Sequence, residues 1–358
     1  MNILHLHTGL NITCGISKTI YLVSKYLNDD FRHIIIAENG DAKDKFEDAG
    51  LKVNILNLSR KNFYNKLKIY FFLKKYVKDN NIHIIHSHHR YFDLISFLIR
   101  KTLPVKTITS VQSKVTGKKY LSYKADKLIA VSNTIKLHLL NYFGIKPEKI
   151  SIINNFVDIS EINNLKDSKS MKDNLAIQQN KFLIGYIGRI SVKEKGVDLL
   201  LEAFNEFNKQ YTNSFLILVG QGDNENYVNE FIKKEKLSAL LIPQKEKIFD
   251  YYNILDIIII PSKVDPFPLV ALESGLMKIP VIASGVDGLA ELIVDKVDGL
   301  LFEKNNYKEL LQCMENFYID ARLREYCATN LNRKILENFT NEVIIEKYRN
   351  LYLKVLSE

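Results

Sequence analysis

Short apolar runs alternate with amphipathic stretches twice over along this chain of 358 residues, and no other feature restricts its fold as strongly. In the first series the strand-like runs are Asn2–His7, His33–Ala37, Val53–Leu56, Ile82–His86, Lys106–Ser110, Lys127–Val131 and Ile150–Ile153. Helical spacing falls on Lys18–Asn28, Ala42–Ala49, Asn62–Lys78 and Asn133–Tyr142. The second series starts at Phe182–Ile187 and continues through Phe215–Val219, Ala239–Ile242, Ile257–Ile260 and Pro280–Ala283 to Leu300–Phe302. Strands separated by helices pair in parallel, because the crossover helix carries the chain back to the edge it left. Two such series in tandem predict an α/β protein of two Rossmann-like domains with a ligand cleft between them. The polar stretch Ser160–Asn180 reads as the linker.

Several classes of protein are excluded. Hydrophobic residues are 46% of the chain and charged residues 25%, the proportions of a globular protein. The run Ile257–Ile260, closed off by Asp256 and Pro261, is far short of the roughly 20 apolar residues that span a bilayer. The start Met1-Asn2-Ile3-Leu4-His5 shows no basic n-region and no small-residue cleavage site, and so does not read as a signal peptide. Cys14, Cys313 and Cys327 are too far apart for a metal motif and suit a reducing cytoplasm.

Charge is unevenly spread. The chain has 50 Lys+Arg against 41 Asp+Glu, a formal +9. Between Leu51 and Ile135 there are 17 basic residues and 3 acidic ones, +14, which leaves −5 for the rest. Such asymmetry suits an anionic partner, and it equally suits a solvated basic face. Within it, Asn62–Lys78 places Phe63, Leu67, Tyr70, Phe71, Leu73 and Val77 at helical spacing among lysines. That stretch reads either as an interfacial helix or as an ordinary helix packed on the sheet.

The second series holds the chemistry. Gly185-Tyr186-Ile187-Gly188-Arg189 ends a strand, and Lys195-Gly196 leads into the next helix. Two cations beside a helix N-terminus read as an anion site suited to a diphosphate, since Arg offers a planar fork and Lys a point charge, and equally as two ordinary basic residues of a surface loop. Further on, Pro261-Ser262-Lys263-Val264-Asp265-Pro266-Phe267-Pro268-Leu269 turns from a strand into a helix that carries Glu273. Backbone N–H groups of the turn through Phe267, Pro268 (which has none of its own) and Leu269 lie at that helix start, free to donate to phosphate oxygens. Asp265 can accept sugar hydroxyls and Glu273 a ribose diol; either acid also reads as a plain helix cap. In the first series His86-Ser87-His88 ends a strand, but nothing near it in sequence supplies a third metal ligand.

Gly188-Arg189…Lys195-Gly196, Pro261-Ser262…Asp265-x7-Glu273, Pro280-Val281-Ile282-Ala283 and Gly288-x-x-Glu291 together resemble the retaining glycosyltransferases of family 4. The resemblance implies a GT-B fold of two facing Rossmann-like domains. An acceptor-binding domain would span 1–165 together with the closing helix 341–358, and a nucleotide-sugar-binding domain 166–340. It implies that Arg189 and Lys195 neutralise the donor diphosphate and that Glu273 binds the ribose. Asp265 stands where the family places a sugar-binding Glu, one methylene longer. Gly15 falls in the N-terminal loop that approaches the phosphates, with Cys14 where a paired glycine is usual. Gln244 falls near the base, and His88 matches the histidine that faces sugar and acceptor. With no Asp-x-Asp in the chain, no metal is expected at the diphosphate. The expected partners are a nucleotide-sugar donor, a glycan or lipid-linked acceptor and an anionic membrane surface, with no nucleic acid. The expected location is the cytoplasm, peripheral to the plasma membrane. A non-catalytic paralogue that supports another transferase is the competing reading.

Overall fold

The computed structural model describes every residue except 57–61 and 244–246. It divides into two compact units, Met1–Asn155 with Asn341–Glu358, and Phe156–Thr340.

The first unit alternates β1 (Asn2–His7), α1 (Gly15–Tyr26), β2 (Arg32–Ala37), α2 (Lys43–Asp48), β3 (Lys52–Ile55), α3 (Phe63–Asp79), β4 (Ile84–Ser87), α4 (Arg90–Arg100), β5 (Lys106–Val111), β6 (Lys127–Ala130), α5 (Asn133–Asn141) and β7 (Ile150–Ile152). All strand pairs are parallel, in the order β3-β2-β1-β4-β5-β6-β7. Helices cover both faces, which is why the central strands are buried almost throughout and read as continuous apolar runs. Chain order reverses between β1 and β4. In such sheets this switch point opens a crevice beyond the strands' carboxyl ends.

Phe156 already belongs to the second unit, ahead of the expected change at 166. The reason is local: Val157 N–H donates to the Phe339 carbonyl, and Val157 bridges Thr340. The stretch read as linker is partly structured. It contains a 3-10 turn at Ile159–Ile162 and α6 (Ser168–Asn174), capped by the Asp167 carboxylate.

From there the chain forms β8 (Phe182–Ile187), α7 (Val192–Lys195), α8 (Val197–Gln210), β9 (Ser214–Val219), α9 (Glu225–Glu235), β10 (Ala239–Ile242), α10 (Ile248–Tyr252), β11 (Ile257–Ile260), α11 (Leu269–Leu276), β12 (Val281–Ser284), α12 (Asp287–Leu292), β13 (Leu300–Phe302), α13 (Tyr307–Ile319) and α14 (Ala321–Asn338). The parallel order β10-β9-β8-β11-β12-β13 puts the switch point between β8 and β11. The last helix, α15 (Asn341–Ser357), belongs to the first unit, where it buries Ile344, Tyr348 and Tyr352.

Helix α3 corrects the expected apolar stripe. Ile69, Leu73 and Val77, four residues apart, face the core beside Leu4 and Ile34. Leu67 and Phe71, read at helical spacing with Leu73 and Val77, are exposed, as are Tyr64 and Phe72. Aromatic residues occur on both sides of this helix, so hydrophobicity alone could not single out the packed one.

Candidate functional site

In the second unit the switch point between β8 and β11 gathers the chemistry. Strand β8 ends in Gly188 at φ 145°, a conformation that favours glycine. Arg189 follows and pairs with Glu194, both side chains about half exposed. Ser191 caps the short α7 by accepting from Glu194 N–H. Gly196 then takes φ 63°, and a Cβ there would sit 2.1 Å from the Pro261 carbonyl oxygen. This close approach brings Lys195 against the segment that leaves β11. Lys195 Nζ lies 2.6 Å from Asp265 Oδ2, which also accepts from Ser262 Oγ at 3.0 Å. Asp265 is buried while Lys195 keeps a partly exposed side chain, so the acid anchors the cation rather than the reverse. The Asp265 backbone is held too. Its N–H donates to Asp287 and its carbonyl accepts from Gly288 N–H.

The same segment leads into α11. Pro268 stands at the helix N-cap and offers no side-chain acceptor. Phe267 is buried, its ring 5.6 Å from that of Phe339. Leu269 opens the helix, and Glu273 lies buried further along it. Glu273 Oε2 accepts from the hydroxyl of Tyr252 at 2.7 Å. Tyr252 was not singled out in the sequence, because 21 residues separate it from its partner. Arg189, Lys195, Asp265 and the start of α11 thus share one end of one sheet. Gln244 lies outside the described residues.

In the first unit Gly15 opens α1 and is exposed, with Cys14 at the N-cap. His88 lies just past β4 at the other switch point, and it is buried. Strand register brings His5 opposite His86 and Ile3 opposite His33. His5 Nδ1 meets His88 Nε2 at 3.0 Å, and His5 Nε2 meets His33 Nδ1 at 2.8 Å. His86 reaches Tyr352 Oη through Nδ1 and Ser110 Oγ through Nε2, both at 2.8 Å. Burial lowers the pKa of all four rings, that of His33 to about 4, so each is neutral at pH 7.

The fold therefore supplies what the sequence lacked near His86 and His88, a third imidazole. One nitrogen from each of His5, His86 and His88 falls within 4.8 Å of the other two. The contacts are nevertheless those of a hydrogen-bonded network. Both nitrogens of His5 face other imidazoles, and both nitrogens of His86 face hydroxyl groups.

A double Rossmann chain with a cationic switch-point site is the architecture of GT-B glycosyltransferases. A glycosyltransferase from Rickettsia africae has the same fold, with a TM-score of 0.88 and 24% identity over 99% of this chain and 98% of that one. Two family models match in tandem, "Glycosyltransferase Family 4" over residues 13–161 and "Glycosyl transferases group 1" over 167–334. The chain belongs to this family of glycosyltransferases. Among its relatives are the capsular polysaccharide biosynthesis glycosyltransferase CapM of Staphylococcus aureus, 24% identical over 74% of each chain, and the UDP-Gal:alpha-D-GlcNAc-diphosphoundecaprenol alpha-1,3-galactosyltransferase of Escherichia coli, 23% identical over 90% of this chain and 89% of that one.

Proposed function

We propose that the chain transfers a sugar, with retention, from a nucleotide-diphosphate donor to a glycan or lipid-linked acceptor in the assembly of bacterial surface polysaccharide or lipopolysaccharide. The observation that carries this reading is the buried Asp265 holding Lys195 beside Arg189 at the switch point of the second sheet. The name of the S. aureus relative supports a polysaccharide product, and the E. coli name supports a UDP-sugar donor and a lipid-linked diphosphate acceptor.

In the proposed reaction the bond between the sugar's anomeric carbon and the diphosphate lengthens, and negative charge gathers on the leaving phosphate. Arg189, Lys195 and the α8 N-terminus stabilise that charge from fixed positions. These groups serve in place of a bridging metal ion. A leaving-phosphate oxygen accepts the proton of the acceptor hydroxyl as that hydroxyl attacks from the same face, which preserves configuration. Glu273 holds the ribose. Asp265 orients Lys195 and meets the sugar hydroxyls, and in the first unit His88 serves the acceptor side.

Helix α3 supports contact with an anionic membrane. Its outer surface exposes Tyr64 (66%) and Phe71 (62%) beside Lys66, Lys68 and Lys75. Basic residues near such a surface contribute about 1 kcal/mol each. Among the described residues no helix is long and apolar enough to cross a membrane.

The test is thermal stabilisation and donor hydrolysis across a panel of nucleotide sugars, with and without EDTA. Stabilisation by one donor and EDTA-insensitive release of its nucleoside diphosphate are expected. Lys195→Ala should lower turnover by about 100-fold, the scale of one preorganised charge, while the protein stays folded. If no nucleotide or nucleotide sugar stabilises the protein, the non-catalytic paralogue becomes the better reading.

A further inference from the structure

Tyr252 closes α10 and has no solvent exposure. Its hydroxyl donates to Glu273 Oε2 at 2.7 Å, inside the second unit's core. Burial, reinforced by the adjacent Glu273 charge, holds the phenol pKa well above its ordinary value. The bond therefore runs in one direction at any physiological pH. Tyr252 donates and Glu273 accepts.

A glutamate has three side-chain torsions, and a carboxylate that must face a diol gains from having them fixed before the ligand arrives. One strong donor on Oε2 fixes the plane of the carboxylate. Phe at 252 would keep the ring's packing but remove that donor, leaving a buried oxygen with one bond fewer.

We infer that Tyr252 is a positioning residue for nucleotide recognition, which holds the Glu273 carboxylate in the orientation that accepts the vicinal diol of a ribonucleoside diphosphate. The inference deepens the proposed function and rests on Glu273 facing the ribose. It makes a prediction that a tie between α10 and α11 would not: Tyr252 sets how sharply the protein distinguishes a ribose with its diol from one without it.

The experiment is calorimetric titration of the full chain with UDP, GDP and ADP and with the 2′,3′-dideoxy counterpart of whichever binds. Wild-type protein, Tyr252→Phe and Tyr252→His are compared, each with its thermal midpoint recorded. Loss of the diol should weaken wild-type binding by about 10- to 100-fold, the worth of hydrogen bonds to a charged group. In Tyr252→Phe the ribonucleotide should bind about 10-fold more weakly and the dideoxy analogue about as in wild type. Tyr252→His, which keeps a ring and a donor, should recover part of the discrimination. Equal discrimination in wild type and Tyr252→Phe, whatever the change in thermal midpoint, would overturn the inference and leave Tyr252 a packing residue. If Tyr252→Phe does not fold, Tyr252→Met, which also lacks a donor, takes its place, and unchanged discrimination there overturns it in the same way. If wild type binds the ribo and dideoxy forms alike, or binds no nucleoside diphosphate, then Glu273 does not serve the ribose and the inference falls with that assignment.

Discussion

Acid should unfold the first unit at a pH where an ordinary α/β domain is still stable. His5, His33, His86 and His88 are all buried, and their pKa values all lie below the ordinary 6.5, chiefly through burial. Unfolding returns each ring to water and to that ordinary value. As pH falls below 6.5, the unfolded chain takes up protons that the folded chain refuses, and stability declines until the folded pKa is reached. For His33, with its pKa lowered to about 4, linkage gives a loss of about 2 kcal/mol between pH 8 and pH 5. The full loss from this ring, reached below its folded pKa, is about 3 kcal/mol. The other three rings act in the same direction, so the loss for the cluster exceeds that of His33 alone, and His33 alone already accounts for a substantial part of the stability of a typical domain. The chain has no Trp, so urea titrations at pH 8, 6.5, 5.5 and 5 would be followed by far-UV circular dichroism and tyrosine fluorescence. One transition should move steeply to lower urea as pH falls, and His33→Gln should remove its share of that slope. A first transition whose midpoint stays level from pH 7.5 to pH 5 would refute the buried neutral cluster.

Three further outcomes follow from the second unit and from α3. Glu194 pairs with Arg189, so on the proposed donor role of Arg189 the variant Glu194→Gln should tighten nucleotide binding by roughly 1.5- to 5-fold, the worth of a half-exposed ion pair, as read by calorimetry. Weaker binding in that variant would mean that the carboxylate positions Arg189 instead. Gly196→Ala puts a Cβ 2.1 Å from the Pro261 carbonyl oxygen at a positive φ. It should cost about 3 kcal/mol or more, a drop of roughly 6–12 °C in the thermal midpoint for a unit of this size. Replacing both Phe71 and Phe72 by Ser should leave folding intact, since Ile69, Leu73 and Val77 carry the packing, and should reduce sedimentation with anionic liposomes at low salt.

What could be read along the chain and what could not divide on a physical line. Buried parallel strands such as Ile257–Ile260 show as apolar runs because both faces are covered. The candidate site of the second unit is legible because Arg189, Lys195, Asp265 and Glu273 sit at fixed intervals around two strand ends, and the turn geometry that joins them is local. Helix α4 escaped because its buried residues Phe92, Ile95 and Ile99 lie in a segment that also carries a buried acid, Asp93. That acid accepts from Thr109 Oγ1 and from the backbone N–H groups of Lys124 and Ala125, partners far off in sequence. The histidine cluster escaped for the same reason. His33, His5 and His88 meet only through the register of three strands, and His86 meets Tyr352 only because α15 returns to the first unit. The substitution at 265 combines both cases. Asp for Glu looked like a shortened sugar ligand, but spacing could not show which donors the shorter side chain would find. The structure places Lys195, 70 residues away, and Ser262, 3 residues away, on one of its oxygens, and only the second contact is close enough in sequence to be read there.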